Sequence, residues 1–79
     1  MWNEKDNALV QDFTFADFKQ AFAFMTRVAA AADSLNHHPD WSNSYNNVHI
    51  SLSTHGAGGV TEKDHALAQA IDDILRDFT

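Results

Sequence analysis

A single proline, Pro39, stands at the midpoint of this chain of 79 residues and divides it into two regimes. Its ring removes a backbone donor and disfavours helical geometry at His38, so no helix runs through this point. Before it, Phe18, Phe22, Met25, Ala29 and Ala32 recur at helical spacing, and Phe15, Phe24 and Val28 widen the apolar stripe. The spacing predicts a helix from about Asp17 to Leu35, ending near Asn36, that packs on a sheet with one face and on another surface with its flank. Thr14, three residues ahead of Asp17, gives this helix a start like a capping box. After the proline, Val48, Ile50 and Leu52 alternate with His49, Ser51 and Ser53, the period of a strand with one buried face. His37 and His38 are thereby confined to an irregular segment at a helix exit.

The remaining elements follow from the same two periods. Leu9, Phe13 and Phe15 alternate loosely with polar residues between Ala8 and Phe15, which predicts a half-buried strand. Ser42 to Asn47 is polar and turn-prone. Gly56, Gly58 and Gly59 interrupt the later strand, and Thr61 is placed to cap a second helix from roughly Glu62 to Asp77, with Leu67, Ala70, Ile71, Ile74 and Phe78 as its apolar stripe. The order strand, helix, short strand, strand, helix predicts an α+β fold: a small antiparallel sheet with two main helices packed on one face, the other face left available. One domain is expected to span residues 1–79, without repeats or low-complexity segments.

A chain of this length buries only about 60% of the surface its unfolded form exposes. It has no cysteine, so neither disulfides nor thiolate metal sites reinforce it, and association into a homo-oligomer is the expected way to bury more apolar surface. Hydrophobic content of 44% and nine aromatic residues argue against disorder, while no apolar run approaches the roughly 20 residues of a membrane span. Met1 to Asp6 lacks the basic and apolar regions of a secretory signal, so the cytoplasm is the expected location. A formal charge of −6 opposes phosphate backbones, which argues against direct nucleic-acid binding.

Four of the five histidines fall within nineteen residues, and three of them, His37, His38 and His55, lie at a helix exit and a strand end. Imidazole gives and takes protons near neutrality, so a helix exit and a strand end that converge would suit acid/base chemistry. Metal binding competes with that reading, but the chain has no His-x-x-x-His pair on a helix and no thiolate. Were the strand to continue unbroken, His55 would share the face of His49, away from the core. His49 and His65 read as exposed residues without a task. Asp64, three residues after Thr61, suits a helix N-terminus with no further role. Asp33 lies near the end of the first helix, against the dipole, where a carboxylate could orient an imidazole. Trp41 and Tyr45 could offer flat surface to a planar heterocycle or simply fill the core.

Asp33, His37-His38-Pro39-Asp40-Trp41, Tyr45, Thr54-His55 and Asp64 resemble, in order and spacing, the signature of the pterin-4a-carbinolamine dehydratases. The likeness extends to Phe13-Thr14-Phe15, Asp17-Phe18, Ala21-Phe22, the run from Phe24 to Ala29, and Asn47-Val48-His49-Ile50, and so covers nearly the whole chain. The resemblance implies dehydration of 4a-hydroxytetrahydrobiopterin to the quinonoid dihydropterin, without metal or organic cofactor. It implies His37 and His55 as acid/base residues, His38 as the group that positions the pterin, Asp64 as the carboxylate that orients a site histidine, Asp33 as an acidic residue beside the site, and Trp41 and Tyr45 as pocket walls. Pro39 would hold the histidine pair rigid. It further implies a sheet that pairs across a homodimer, dimers joining into homotetramers through helices, and a link to an aromatic amino acid hydroxylase. Some animal members also partner a homeodomain transcription factor, so a protein-binding module on the same fold is the alternative. Family members usually carry a short helix ahead of the Trp that Trp2 matches, which this sequence does not contain. The three glycines after His55 are expected to leave that loop free.

Overall fold

The computed structural model describes residues 1–79. Four strands, β1 (Asn3–Lys5), β2 (Ala8–Thr14), β3 (Asp40–Ser44) and β4 (Asn47–Leu52), form one antiparallel sheet in the order β1-β2-β4-β3. Helices α1 (Phe18–Leu35) and α2 (Glu62–Leu75) lie on one face of it, and α2 tightens into a single 3₁₀ turn over Arg76–Phe78. This is the α+β architecture expected from the order of periods. No helix is long and apolar enough to cross a membrane.

The register explains which side is buried. Leu9 pairs with Leu52, Gln11 with Ile50 and Phe13 with Val48, so alternate residues of both central strands meet the helices. Val48, Ile50 and Leu52 are fully buried there against Phe24, Val28, Leu67 and Ile71. Phe24 sits at the centre, its ring 5.0 Å from Phe13, 4.8 Å from Phe15 and 5.8 Å from Phe78. Val10, Asp12, His49 and Ser51 alternate with these and face away from the helices.

Four details differ from the sequence reading. The buried stripe of α1 is Ala21, Phe24, Val28 and Ala32, whereas Phe18 and Phe22 are exposed, their rings stacked at 5.7 Å. Small alanines permit the close approach to sheet and α2, and the larger side chains are turned onto a flank that nothing in this chain covers. Secondly, the α1 cap is Asp17 itself, whose carboxylate accepts from the Gln20 amide at 2.8 Å. Thr14 instead donates to Asn47 across the end of the β2–β4 ladder. Thirdly, β1 was not foreseen, and Asp6 and Asn7 both take positive φ in the two-residue loop that joins it to β2. Lastly, Asp40–Ser44 is a full strand, so the turn narrows to Tyr45 and Asn46.

Candidate active site

Three chain ends meet at one edge of the sheet and position the chemistry. The first is the exit of α1. Asn36 adopts the left-handed conformation, with φ of 53°, and the amides of Asn36 and His37 bond back to the carbonyls of Asp33 and Ala32. This is a Schellman closure, which satisfies the last carbonyls of the helix and fixes the direction in which the chain leaves it. Asn tolerates that backbone region better than other residues with a Cβ. His37 is therefore anchored by its own backbone to α1, and Pro39 restricts the segment that follows.

The second end is that of β4. The strand stops at Leu52, so His55 does not continue its alternation; it opens a tight turn instead. Thr54 closes that turn, its amide donating to the Gly59 carbonyl at 2.9 Å and its carbonyl accepting from Ala57. Gly56 and Gly58 have φ of 88° and 74°, a region costly for side chains, so these glycines shape a defined turn here. The third end is the start of α2, where Thr61 and Asp64 form a reciprocal capping box.

Between these ends lies an open pocket of about 340 Å³. Asn36, His37, His38, Pro39 and Asp40 line it from the α1 exit, Ser53, Thr54 and His55 from the β4 exit, and Lys63 from the first turn of α2. That volume falls within the range of small-molecule sites, and every lining residue from this chain except Pro39 carries a polar side chain.

Asp64 lies beneath the pocket and is fully buried. Its Oδ1 is 2.6 Å from His37 Nε2, and its Oδ2 accepts from the Thr54 hydroxyl at 2.8 Å and from the Thr61 amide at 2.9 Å. Burial pushes the Asp64 carboxyl up, but the hydrogen bonds from His37, Thr61 and Thr54, together with the charge of His37, outweigh it and hold the carboxyl below its ordinary value. Asp64 is thus an anion at neutral pH and only accepts, so the proton in its contact with His37 belongs to Nε2. The capping role read from sequence is real, and the same carboxylate also reaches an imidazole.

The other residues singled out from sequence fall in distinct places. His37 is nearly enclosed, with 11% of its side chain exposed, whereas His38 is open and its Nε2 is 4.0 Å from Asp33 Oδ1, itself on the surface. Trp41 does not line the pocket; it pairs in register with Ile50 and packs against the core. Tyr45 stands at the far end of β3, exposed in the hairpin turn with φ of 50°. His49 is exposed but not idle, as its Nδ1 lies 2.8 Å from Asp12 Oδ1 on the uncovered sheet face. His65 is exposed on α2. Sequence reasoning gave no role to Thr54 or Lys63, although each neighbours a residue it did select. No cluster of three or more His, Cys, Asp or Glu side chains is placed to hold a metal ion.

Fold and pocket together define a small α+β protein with imidazoles gathered at one end of an antiparallel sheet. The sequence profile described as pterin 4 alpha carbinolamine dehydratase matches residues 1–74, and the chain belongs to that family. A Rhodospirillum rubrum protein provisionally named a pterin-4-alpha-carbinolamine dehydratase is 60% identical over 68 residues, which is 86% of this chain and 71% of that protein. The crystal structure of a transcriptional coactivator/pterin dehydratase from Brucella melitensis superimposes with a TM-score of 0.89 at 43% identity, covering 92% of this chain and 80% of the other. A pterin dehydratase-like protein described as a RuBisCO assembly factor in the alpha-carboxysome shares the fold, with a TM-score of 0.76 at 24% identity over 94% of this chain and 86% of its own.

Proposed function

We propose that this chain dehydrates 4a-hydroxytetrahydrobiopterin to the quinonoid dihydropterin and water, as a hydro-lyase of pterin recycling. The observation that carries the reading is the presence of His37, His38 and His55 around one pocket, with His37 tied to a buried carboxylate. Membership of the dehydratase family supports it further.

The reaction asks for two proton transfers. A protonated imidazole gives its proton to the 4a-hydroxyl, which leaves as water; a neutral imidazole takes the N5 proton, and the electrons of that N–H bond close the C4a=N5 double bond. His37 and His55 fill these two roles, and His38, open to solvent at the rim, binds and positions the ring. Asp64 orients His37, while Asp33 and Pro39 set the position of His38. Trp41 supports the site from β3, where its side chain packs against the core. No metal or organic cofactor is needed for this chemistry.

The same reading extends to assembly as a homodimer or homotetramer in the cytoplasm. The bare Phe18 and Phe22 flank and the two sheet edges, β1 and β3, support it.

The deciding experiment follows decay of freshly formed 4a-hydroxytetrahydropterin by stopped flow, with wild type, His37→Ala and His55→Ala. Acceleration by wild type and a loss of about 10²- to 10⁴-fold in each variant is the expected result. A folded wild-type protein that leaves the decay unchanged would overturn the reading and turn attention to a protein-binding role. Full turnover in both variants would overturn the assignment of the histidines.

A further inference from the structure

Thr54 occupies a place that neither the family signature nor the pocket lining explains by itself. Its hydroxyl donates to Asp64 Oδ2 at 2.8 Å and lies 2.6 Å from the Thr61 hydroxyl. A hydroxyl has one proton, and an ionised carboxylate has none to give. Thr54 therefore donates to Asp64, and in its contact with Thr61 it must accept. Thr61 in turn donates to Thr54 while its oxygen accepts from the Lys63 amide at 3.3 Å. Each proton in this chain points the same way: from Lys63 N–H to Thr61, from Thr61 to Thr54, from Thr54 to Asp64. At the far oxygen, Asp64 receives the Nε2 proton of His37.

The direction has a consequence for the imidazole. With Oδ2 occupied by two donors and the carboxylate unable to rotate without losing them, Oδ1 stays presented to His37, and the neutral ring is held with its proton on Nε2. Nδ1 is then left without a proton for the pocket. Thr54 acts on the second histidine as well, through its backbone, because it closes the turn that His55 opens. One residue thus registers an enclosed imidazole, through its side chain, and an exposed one, through its main chain.

We propose that Thr54 is a positioning residue, which fixes the Nε2–H tautomer of His37 through Asp64 and holds His55 in register across the pocket. The proposal rests on the dehydratase reading for its catalytic consequence, but not for its structural one. The hydroxyl and the β-branch are separable by substitution: Thr54→Val keeps shape and β-propensity without the hydroxyl, and Thr54→Ser keeps the hydroxyl.

The test records imidazole ¹⁵N shifts of uniformly labelled protein at a pH where the rings are neutral, together with kcat and KM, for wild type and both variants. Wild type is expected to show His37 with a pyrrole-type Nε2 and a pyridine-type Nδ1. Thr54→Val should move both shifts toward averaged values and lower kcat on the order of tenfold with KM within about twofold, the size of one lost orienting hydrogen bond. Thr54→Ser should restore both readouts. A wild-type His37 protonated on Nδ1, or an unchanged tautomer in Thr54→Val, would overturn the proposal whatever the activity. Should Thr54→Val fail to fold, the wild-type protein still decides: a slowly exchanging Thr54 hydroxyl proton with a cross-peak to Hε2 of His37 supports the chain, and its absence refutes it. A tautomer that responds to Thr54 in a protein without turnover would uphold the positioning and remove the dehydratase reading alone.

Discussion

Replacing Asp64 by Asn removes one charge and keeps the shape, which makes it the sharpest probe of the buried carboxylate. Three donors converge on Asp64, from His37, Thr54 and Thr61. An amide satisfies them best with its oxygen toward Thr54 and the Thr61 amide, which turns its NH₂ toward Nε2 of His37. The imidazole must then accept at Nε2 and carry its proton on Nδ1, the reverse of the native arrangement. Three charge-assisted bonds become neutral ones, a loss of about 1 kcal/mol each, offset in part by the smaller desolvation cost of an amide, leaving about 2 kcal/mol. Total stability for a chain of this size is about 4–12 kcal/mol. At about 4–8 °C per kcal/mol, Tm should fall by roughly 8–16 °C by circular dichroism, and dehydratase turnover by at least about a hundredfold. A variant that melts within about 2 °C of wild type and keeps more than half its turnover would refute the placement of Asp64 at the centre of the site.

Acid unfolding should report the same group. The folded carboxyl of Asp64 is held below its ordinary value, so on acidification the unfolded chain takes up this proton first; the advantage of wild type over Asp64→Asn should be intact above about pH 5 and shrink below about pH 4, as read from urea midpoints. Phe24→Ala should cost about 3–5 kcal/mol, since Phe24 is fully buried among three other rings, and the urea midpoint should fall by at least about a quarter. At Asn36 the backbone decides: Asn36→Gly should leave Tm nearly unchanged, whereas Asn36→Val should cost about 1–2 kcal/mol and lower turnover by displacing His37.

Both helices and the two central strands were legible because their periods are carried by large apolar side chains such as Phe13, Phe24, Ile50 and Leu67. In α1 the stripe was legible at Phe24, Val28 and Ala32 but not at Ala21, because alanine gives little signal and the larger Phe18 and Phe22 outweigh it, yet Ala21 is completely buried. β1 was invisible for a different reason: Asn3, Glu4 and Lys5 are all exposed, and only their pairing with β2 extends them. In Asp40–Ser44, Trp41 alone favours a strand, and β4 supplies the template. At the site, sequence supplied the histidines and Pro39, while the structure adds the links between them. Thr54 could have been noticed as a hydroxyl beside His55, but its bond to Asp64 spans ten residues and depends on how the turn after β4 folds back onto α2.

The order of the strands also sets how the chain must assemble itself. β2 and β4 are neighbours in the sheet, yet their nearest paired residues, Thr14 and Asn47, enclose all of α1 and β3 between them. The β1–β2 hairpin, α1 and the β3–β4 hairpin can form locally, whereas the central ladder has to close a long loop before its contacts repay the lost entropy. The pocket draws on the exits of α1 and β4 and on the start of α2, so it exists only once that closure is complete. A ligand held there is therefore expected to slow unfolding while leaving the rate of folding as it was.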